Sequence, residues 1–299
     1  MILMKKWLLA VFTVCSLALV GCTVPTLEAE RPIVVVGLYP YVYVVENIGG
    51  DRVSVTNLVG GNVEPHDLEL TSRQLYTLDN ADLVIYQRGF QPAVDAAVDT
   101  VNTARLFDAT TVVPLETSEE GVLDQHIWLD PIIMMTVAED VASLLIELDP
   151  AGERSYNLNL EKLLGTLTEL DADYTQGLAT CERQVFLVEH AAFGYLAQRY
   201  NLTQISVKGV NPDAEPSPAH IARISEQVKD LQLTRIFHET RQPSGLIQTL
   251  ATDLNVGTSQ LDPLEQTPMD LHRIPHDLPT YVSIMEDNLE ALRQANGCQ

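Results

Sequence analysis

Seven histidines stand out as the side chains most able to do chemistry: His66, His126, His190, His220, His238, His272 and His276. Three of them share a context. His66 follows an apolar run and a Gly-rich loop, His126 lies in Asp124-Gln125-His126-Ile127-Trp128-Leu129-Asp130-Pro131 ahead of a helical stretch, and His190 directly follows Val185-Phe186-Leu187-Val188. Asp262, in Gln260-Leu261-Asp262-Pro263-Leu264, also sits just past a strand-like run. Three neutral imidazoles and one carboxylate make a tetrahedral Zn²⁺ shell, with bonds of about 2.0–2.2 Å. The same donors accept Mn²⁺ or Fe²⁺, and replacing a histidine with an acid would tilt the site further that way. Separations of 60, 64 and 72 residues form no compact motif. The fold must therefore bring these groups together.

The elements that would do so alternate between strand and helix. Ile33-Val34-Val35-Val36 reads as a buried parallel strand, followed by a helix from Tyr41 to Ile48, a strand over 53–58, a helix over 70–80 and a strand at Leu83-Val84-Ile85-Tyr86. A helix over 92–101 and a strand at 111–114 continue the pattern, and Pro131 to Leu148 has helical periodicity. Tyr39, Tyr41 and Tyr43 alternate, as packing residues or as a cleft lining. The alternation restarts after residue 180, with strands at 184–188, 205–207, 235–237 and 256–261 and helices at 192–200, 219–231, 245–254 and 279–294. Between the two series, residues 150–180 carry leucines at helical spacing, and such a helix would reach about 45 Å. The expected fold is α/β: an N-terminal parallel-sheet lobe (22–149), a linking helix (150–180) and a C-terminal lobe (181–299). Open sheets of this kind bind ligands beyond the carboxyl ends of their strands, so two facing lobes would enclose a metal cleft.

The ends and the charge fix the compartment and exclude partners. Lys5 and Lys6 precede an apolar run from Trp7 to Val20, the layout of a secretory signal. It is shorter than the roughly 20 residues of a spanning helix. Leu19-Val20-Gly21-Cys22 resembles a lipobox, giving a signal peptide over 1–21, lipidation at Cys22 and an extracytoplasmic, membrane-anchored or periplasmic protein. Cys15 falls within the signal, leaving Cys181 and Cys298 as one possible disulfide. A formal charge of −23 repels nucleic acid and anionic lipid heads and excludes both as partners.

Several segments resemble a known family. Glu64-Pro65-His66-Asp67-Leu68-Glu69, Gln125-His126-Ile127-Trp128-Leu129-Asp130-Pro131 and Val188-Glu189-His190-Ala191-Ala192-Phe193-Gly194-Tyr195 are similar to the metal-ligand segments of ZnuA/TroA-like cluster A-I solute-binding proteins. Asp213-Ala214-Glu215-Pro216, Ile236-Phe237-His238-Glu239 and Leu261-Asp262-Pro263-Leu264 follow in the family's order. The resemblance implies two lobes joined by a long helix, a metal held in the cleft by His66, His126, His190 and Asp262 or a water in the last place, and a monomer that delivers the metal to an ABC permease. Zinc-selective members tend to have histidine at the third position and manganese or iron members glutamate, so His190 implies Zn²⁺ ahead of Mn²⁺. Glu239 matches a family acid that supports the ligands from outside.

Two departures accompany the match. The segment 116–125 is short and acidic, with no histidine before His126, where many zinc members carry a long His-rich loop. Tyr86-Gln87-Arg88-Gly89-Phe90 lacks the asparagine often found after the third strand. A zinc metallohydrolase is the rival reading, with Glu239 or Glu189 as general base, but no HExxH, GxSxG or P-loop pattern is present. A binding protein without turnover is the expectation. His220, His238, His272 and His276 are expected to be structural or surface residues.

Overall fold

The structure, a computed structural model, describes residues 31–60, 63–102, 105–118, 121–239, 243–266 and 280–299. The signal segment 1–21, Cys22, His272 and His276 lie outside these residues. No helix among the described residues is long and apolar enough to cross a membrane.

Two four-stranded parallel sheets form the framework. In the first, β1 (Ile33–Val36), β2 (Ser54–Asn57), β3 (Leu83–Tyr86) and β4 (Leu106–Asp108) lie in the order β2-β1-β3-β4. Helices α1 (Tyr39–Gly49), α2 (Ser72–Asp79) and α3 (Pro92–Val98) connect them. After α4 (Pro131–Leu148) and α5 (Glu153–Gly177), the second sheet repeats the arrangement with β5 (Val185–Val188), β6 (Thr203–Ser206), β7 (Arg235–His238) and β8 (Gly257–Gln260) in the order β6-β5-β7-β8. Helices α6 (Gly194–Arg199), α7 (Pro218–Asp230) and α8 (Gly245–Leu254) connect these strands, and α9 (Tyr281–Asn296) closes the chain. The central strands β1 and β3 are apolar along their length because both faces are covered.

The structure replaces one local reading and sharpens two others. The expected strand at 111–114 is a short turn of helix over Ala109–Val112, and the strand is Leu106–Asp108. Asp108 ends that strand and caps the turn, its Oδ1 accepting from the Thr110 N–H at 3.0 Å. The alternating tyrosines belong to α1, where Tyr41 is fully buried and Tyr43 stacks on Tyr281 with ring centroids 5.3 Å apart. The linking segment is helical over Pro150–Gly177. A helical turn at Pro150–Gly152 precedes the 25-residue helix α5.

Helix α5, about 37 Å long at 1.5 Å per residue, buries one stripe: Tyr156, Leu163, Leu167, Leu170 and Tyr174. Near its start the Asn159 amide donates to the Ile48 carbonyl of α1 at 2.9 Å, and near its end the Tyr174 hydroxyl donates to the Met285 carbonyl of α9 at 2.7 Å. The largest apolar core runs from the first sheet through α4, α5 and α9 to one face of the second sheet. Strand alternation divides that second sheet, with Phe186, Val188 and Phe237 facing the main core and Leu187 and Ile236 facing a smaller one under α7 and α8.

Cys181, just past α5, is bonded to Cys298, just past α9, across 117 residues of sequence. The Arg183 guanidinium reinforces this junction by donating to the Ala295 carbonyl at 3.0 Å. Replacing both cysteines with alanine should lower unfolding stability by about 2–5 kcal/mol. Denaturant melts of oxidised protein and the double variant check this, and coincident melts would show the bridge to be inert.

Candidate metal centre

Each sheet presents histidine-bearing loops at its carboxyl edge. His66 lies between β2 and α2, where the Leu68 N–H donates to the Pro65 carbonyl and turns the chain. The loop after β3 holds this turn in place. The buried Gln91 side chain donates to the Pro65 carbonyl at 3.2 Å, and the Phe90 ring lies 4.1 Å from the His66 ring. The same loop holds the next histidine. Tyr41 donates to the Gln87 side-chain oxygen, and the Gln87 amide donates to the Gln125 carbonyl. Gly89, at φ +87°, passes so close to Gln125 that a Cβ there would lie 2.8 Å from its Nε2. Gln87, in the segment that departs from the family pattern, and Gln91, just after it, thus support both histidines of the first lobe.

His126 and His190 are fully buried. Asp124 Oδ1 lies 2.7 Å from His126 Nδ1 and also accepts the His126 backbone N–H at 2.9 Å. A Cβ at Gly194 would sit 2.5 Å from Asp124 Oδ2, so the glycine at the start of α6 leaves room for this carboxylate. His190 leaves the end of β5, and its Nδ1 bonds to Glu239 at the end of β7. Each carboxylate is placed to accept the Nδ1–H of its histidine, which in the neutral ring leaves the Nε2 lone pair facing inward. Glu239 thus bonds the His190 ring, and Asp124 makes the same contact on His126.

Four side chains converge: His66, His126, His190 and Glu265, with one ligating atom from each lying within 4.8 Å of all the others. Glu265 Oε1 is 3.2 Å from His126 Nε2 and 3.3 Å from His190 Nε2, Glu265 Oε2 is 3.7 Å from His66 Nε2, and the two buried Nε2 atoms are 3.4 Å apart. A tetrahedral zinc shell with bonds near 2.0–2.1 Å has edges of about 3.3–3.4 Å, which these separations approach. Among the described residues the buried Nε2 of His66 has no hydrogen-bond partner, as suits a nitrogen that donates its lone pair to a cation.

Asp262, expected as the fourth ligand, is not in this group. Its carboxylate Oδ1 accepts the Leu264 N–H at 2.8 Å and shapes the turn that presents Glu265. Burial, opposed by that hydrogen bond and supplemented by the Glu265 and Glu239 charges, pushes the Asp262 carboxyl up to about 6. Only Pro263 and Leu264 separate the expected acid from the acid in the cluster. His220 lies elsewhere, its Nε2 bonded to the Ser206 carbonyl at 3.0 Å, and His238 is buried at the end of β7.

The electrostatics follow from crowding. Burial alone would lower both buried imidazoles, but Asp124 and Glu265 outweigh it at His126, and Glu239 and Glu265 at His190, so both pKa values are raised. Burial would raise Glu265, but the bonds to His126 and His190 and the His190 charge hold it well below the usual carboxylate range. Beside the cluster is a cavity of ≈ 230 Å³ lined by Glu64, Glu189, Lys208, Pro212, Asp213, Glu239 and Ser244. Burial, then the charges of Glu265 and Glu239, raises Glu64 there to about 7.

Comparison with known proteins places this geometry. The family model ZnuA, zinc-uptake complex component A, periplasmic, matches residues 34–295. The chain belongs to the ZnuA family. It is 30% identical over 308 aligned positions to the zinc-binding lipoprotein AdcA of Streptococcus pneumoniae, covering 97% of this chain and 61% of that one. It is 27% identical over 316 positions to the high-affinity zinc uptake system protein ZnuA of Bacillus subtilis, covering 97% and 98%. The crystal structure of the Zn(II)-bound ZnuA-like domain of S. pneumoniae AdcA superposes with a TM-score of 0.77 at 30% identity, over 89% of this chain and 99% of that domain. This chain thus spans less than two thirds of its AdcA relative but nearly all of the ZnuA protein and of the AdcA domain.

A ZnuA-family site in which His126 and His190 are raised has a definite pH dependence. Zinc binds the neutral ring, and a raised pKa extends the protonated state to higher pH. Affinity should rise with pH through the ordinary imidazole value of about 6.5 and level off only above it. Competition titrations from about pH 5.5 to 8.5 test this. An affinity flat across that window would contradict the assignment of the imidazoles.

Proposed function

We propose that this chain captures Zn²⁺ outside the cytoplasm, holds it with His66, His126, His190 and Glu265, and delivers it to the permease of an ABC importer. The observation that carries the proposal is the convergence of three imidazole nitrogens and one carboxylate oxygen within 4.8 Å. The relatives support it. AdcA is named a zinc-binding lipoprotein, and the Bacillus protein belongs to a high-affinity zinc uptake system. The signal-like segment 1–21 and Cys22 supply a lipid anchor, and the protein works as a monomer.

The residues divide the work of capture. Asp124 and Glu239 fix the His126 and His190 rings with Nε2 inward, and Gln87 and Gln91 fix the backbones beside His126 and His66. An arriving dication displaces the protons shared among the imidazoles and Glu265, and the buried charges are then neutralised by the ion. Because α5 is bonded to both halves, release proceeds by modest rocking of the lobes and of the loops bearing His66 and Glu265. Four protein donors close a tetrahedral shell, which favours binding over hydrolysis, since a catalytic zinc keeps one position for water. Three imidazoles with a single carboxylate favour zinc over manganese.

Protein purified without added metal should carry zinc at one ion per chain and retain it against excess Mn²⁺. His190→Ala should cost more than the 10–100-fold typical of losing an outer partner, with the fold retained. Metal analysis and chelator competition provide the readout. Loss of zinc to manganese, or unchanged affinity in His190→Ala, would overturn the reading.

A further inference from the structure

The path of the chain into Glu265 points to residues that act on the metal without touching it. After β8 the backbone leaves the sheet through Leu261-Asp262-Pro263-Leu264 and must turn to project Glu265 inward. The last ladder bond is the Leu261 N–H to the His238 carbonyl at 2.9 Å. Beyond it, side chains from elsewhere take over the backbone. The Asp262 N–H donates to Asn288 Oδ1 at 2.8 Å, and Asn288 Nδ2 donates back to the Asp262 carbonyl at 2.7 Å. Asn288 is buried on α9. The Pro263 carbonyl accepts the Trp128 indole N–H at 2.7 Å, and the Trp128 carbonyl accepts the Tyr281 hydroxyl at 2.6 Å. The Leu264 N–H is taken by Asp262 Oδ1.

That last bond holds an unusual residue. Leu264 is fully buried with φ +62°, a left-handed conformation that residues with a Cβ rarely adopt. Such a residue persists only where its surroundings determine it, and functional sites are where such residues gather. Here the Asp262 carboxylate holds the Leu264 N–H, and Asn288 in turn holds the Asp262 backbone. The left-handed residue turns the chain so that the next side chain, Glu265, reaches His126 and His190.

We propose that Asp262 and Asn288 are positioning residues that preset the Glu265 carboxylate for the metal, resting on the reading of Glu265 as a ligand. Asn288 fixes both polar groups of the Asp262 backbone, and Asp262 fixes the Leu264 N–H. The Trp128 bond to Pro263 ties this turn to the segment bearing His126, so the carboxylate and that imidazole share one frame. A carboxylate held in place loses little freedom when the ion arrives, whereas one on a loosened turn must be ordered at the expense of affinity.

The chemistry of the clasp separates positioning from ligation. Asp262→Asn keeps an oxygen for the Leu264 N–H but removes the charge, and Asp262→Ala removes both. Zinc affinity by chelator competition should therefore stay near wild type in Asp262→Asn and fall about 10–100-fold in Asp262→Ala. Asn288→Ala should fall in the same way. In a Glu265→Ala background, neither Asp262→Ala nor Asn288→Ala should lower affinity further. The visible spectrum of the Co²⁺-loaded Asp262→Ala protein should shift toward that of Glu265→Ala. Asn288→Ala serves as the decisive variant if Asp262→Ala does not fold. Equal losses in Asp262→Asn and Asp262→Ala would overturn positioning, as would full additivity with Glu265→Ala or no loss in Asn288→Ala. Wild-type affinity in Glu265→Ala alone would instead overturn the ligand reading on which the proposal rests.

Discussion

Three imidazoles and a carboxylate crowded into one buried pocket are the constraint to which the surrounding structure answers. Unscreened groups at 3.2–3.7 Å interact strongly, and the raised His126 and His190 and the lowered Glu265 record that in their proton affinities. Protons shared between the rings and the carboxylate stabilise the metal-free protein. On the proposed reading, a divalent cation replaces those protons and satisfies all four lone pairs at once, including that of the His66 Nε2. Capture and proton release are in this sense one event.

Holding four such groups together requires that each be immobile for its own reason. The first sheet contributes two buried glutamines that hold backbones beside His66 and His126. The second contributes Glu239 behind His190 and the clasped turn before Glu265. Asp124 belongs to the loop that carries His126, and its carbonyl accepts the Tyr195 hydroxyl from α6 at 3.1 Å, bringing a residue of the second half onto a loop of the first. Helix α5 and the continuous core beneath it keep the two carboxyl edges facing one another.

Much of this was legible in the sequence, and the illegible parts share a cause. Apolar runs bounded by turns gave the two β/α series, and Pro131 marked the start of α4. Three histidines at strand exits or a helix start identified most of the cluster, because the carboxyl edge of an open sheet is where side chains meet a ligand. Glu265 was not singled out because Asp262 comes first after β8. The left-handed turn at Leu264 aims Glu265 inward instead, and a leucine gives no sign of that conformation. Gln87 and Gln91 were equally silent, since glutamine is usually exposed and only tertiary contact reveals these two as buried. The strand expected at Thr111-Val112-Val113-Pro114 has the right composition, but Asp108 captures the backbone first.

The proposed function requires a zinc shell made of His66, His126, His190 and Glu265. X-ray absorption at the zinc edge, on the loaded protein and on Glu265→Ala, measures that shell directly. The prediction is four nitrogen or oxygen donors near 2.0–2.1 Å with the scattering pattern of three imidazoles, and loss or replacement of a single oxygen donor in the variant. A shell with fewer than three imidazoles, or one unaltered by removing Glu265, would contradict it.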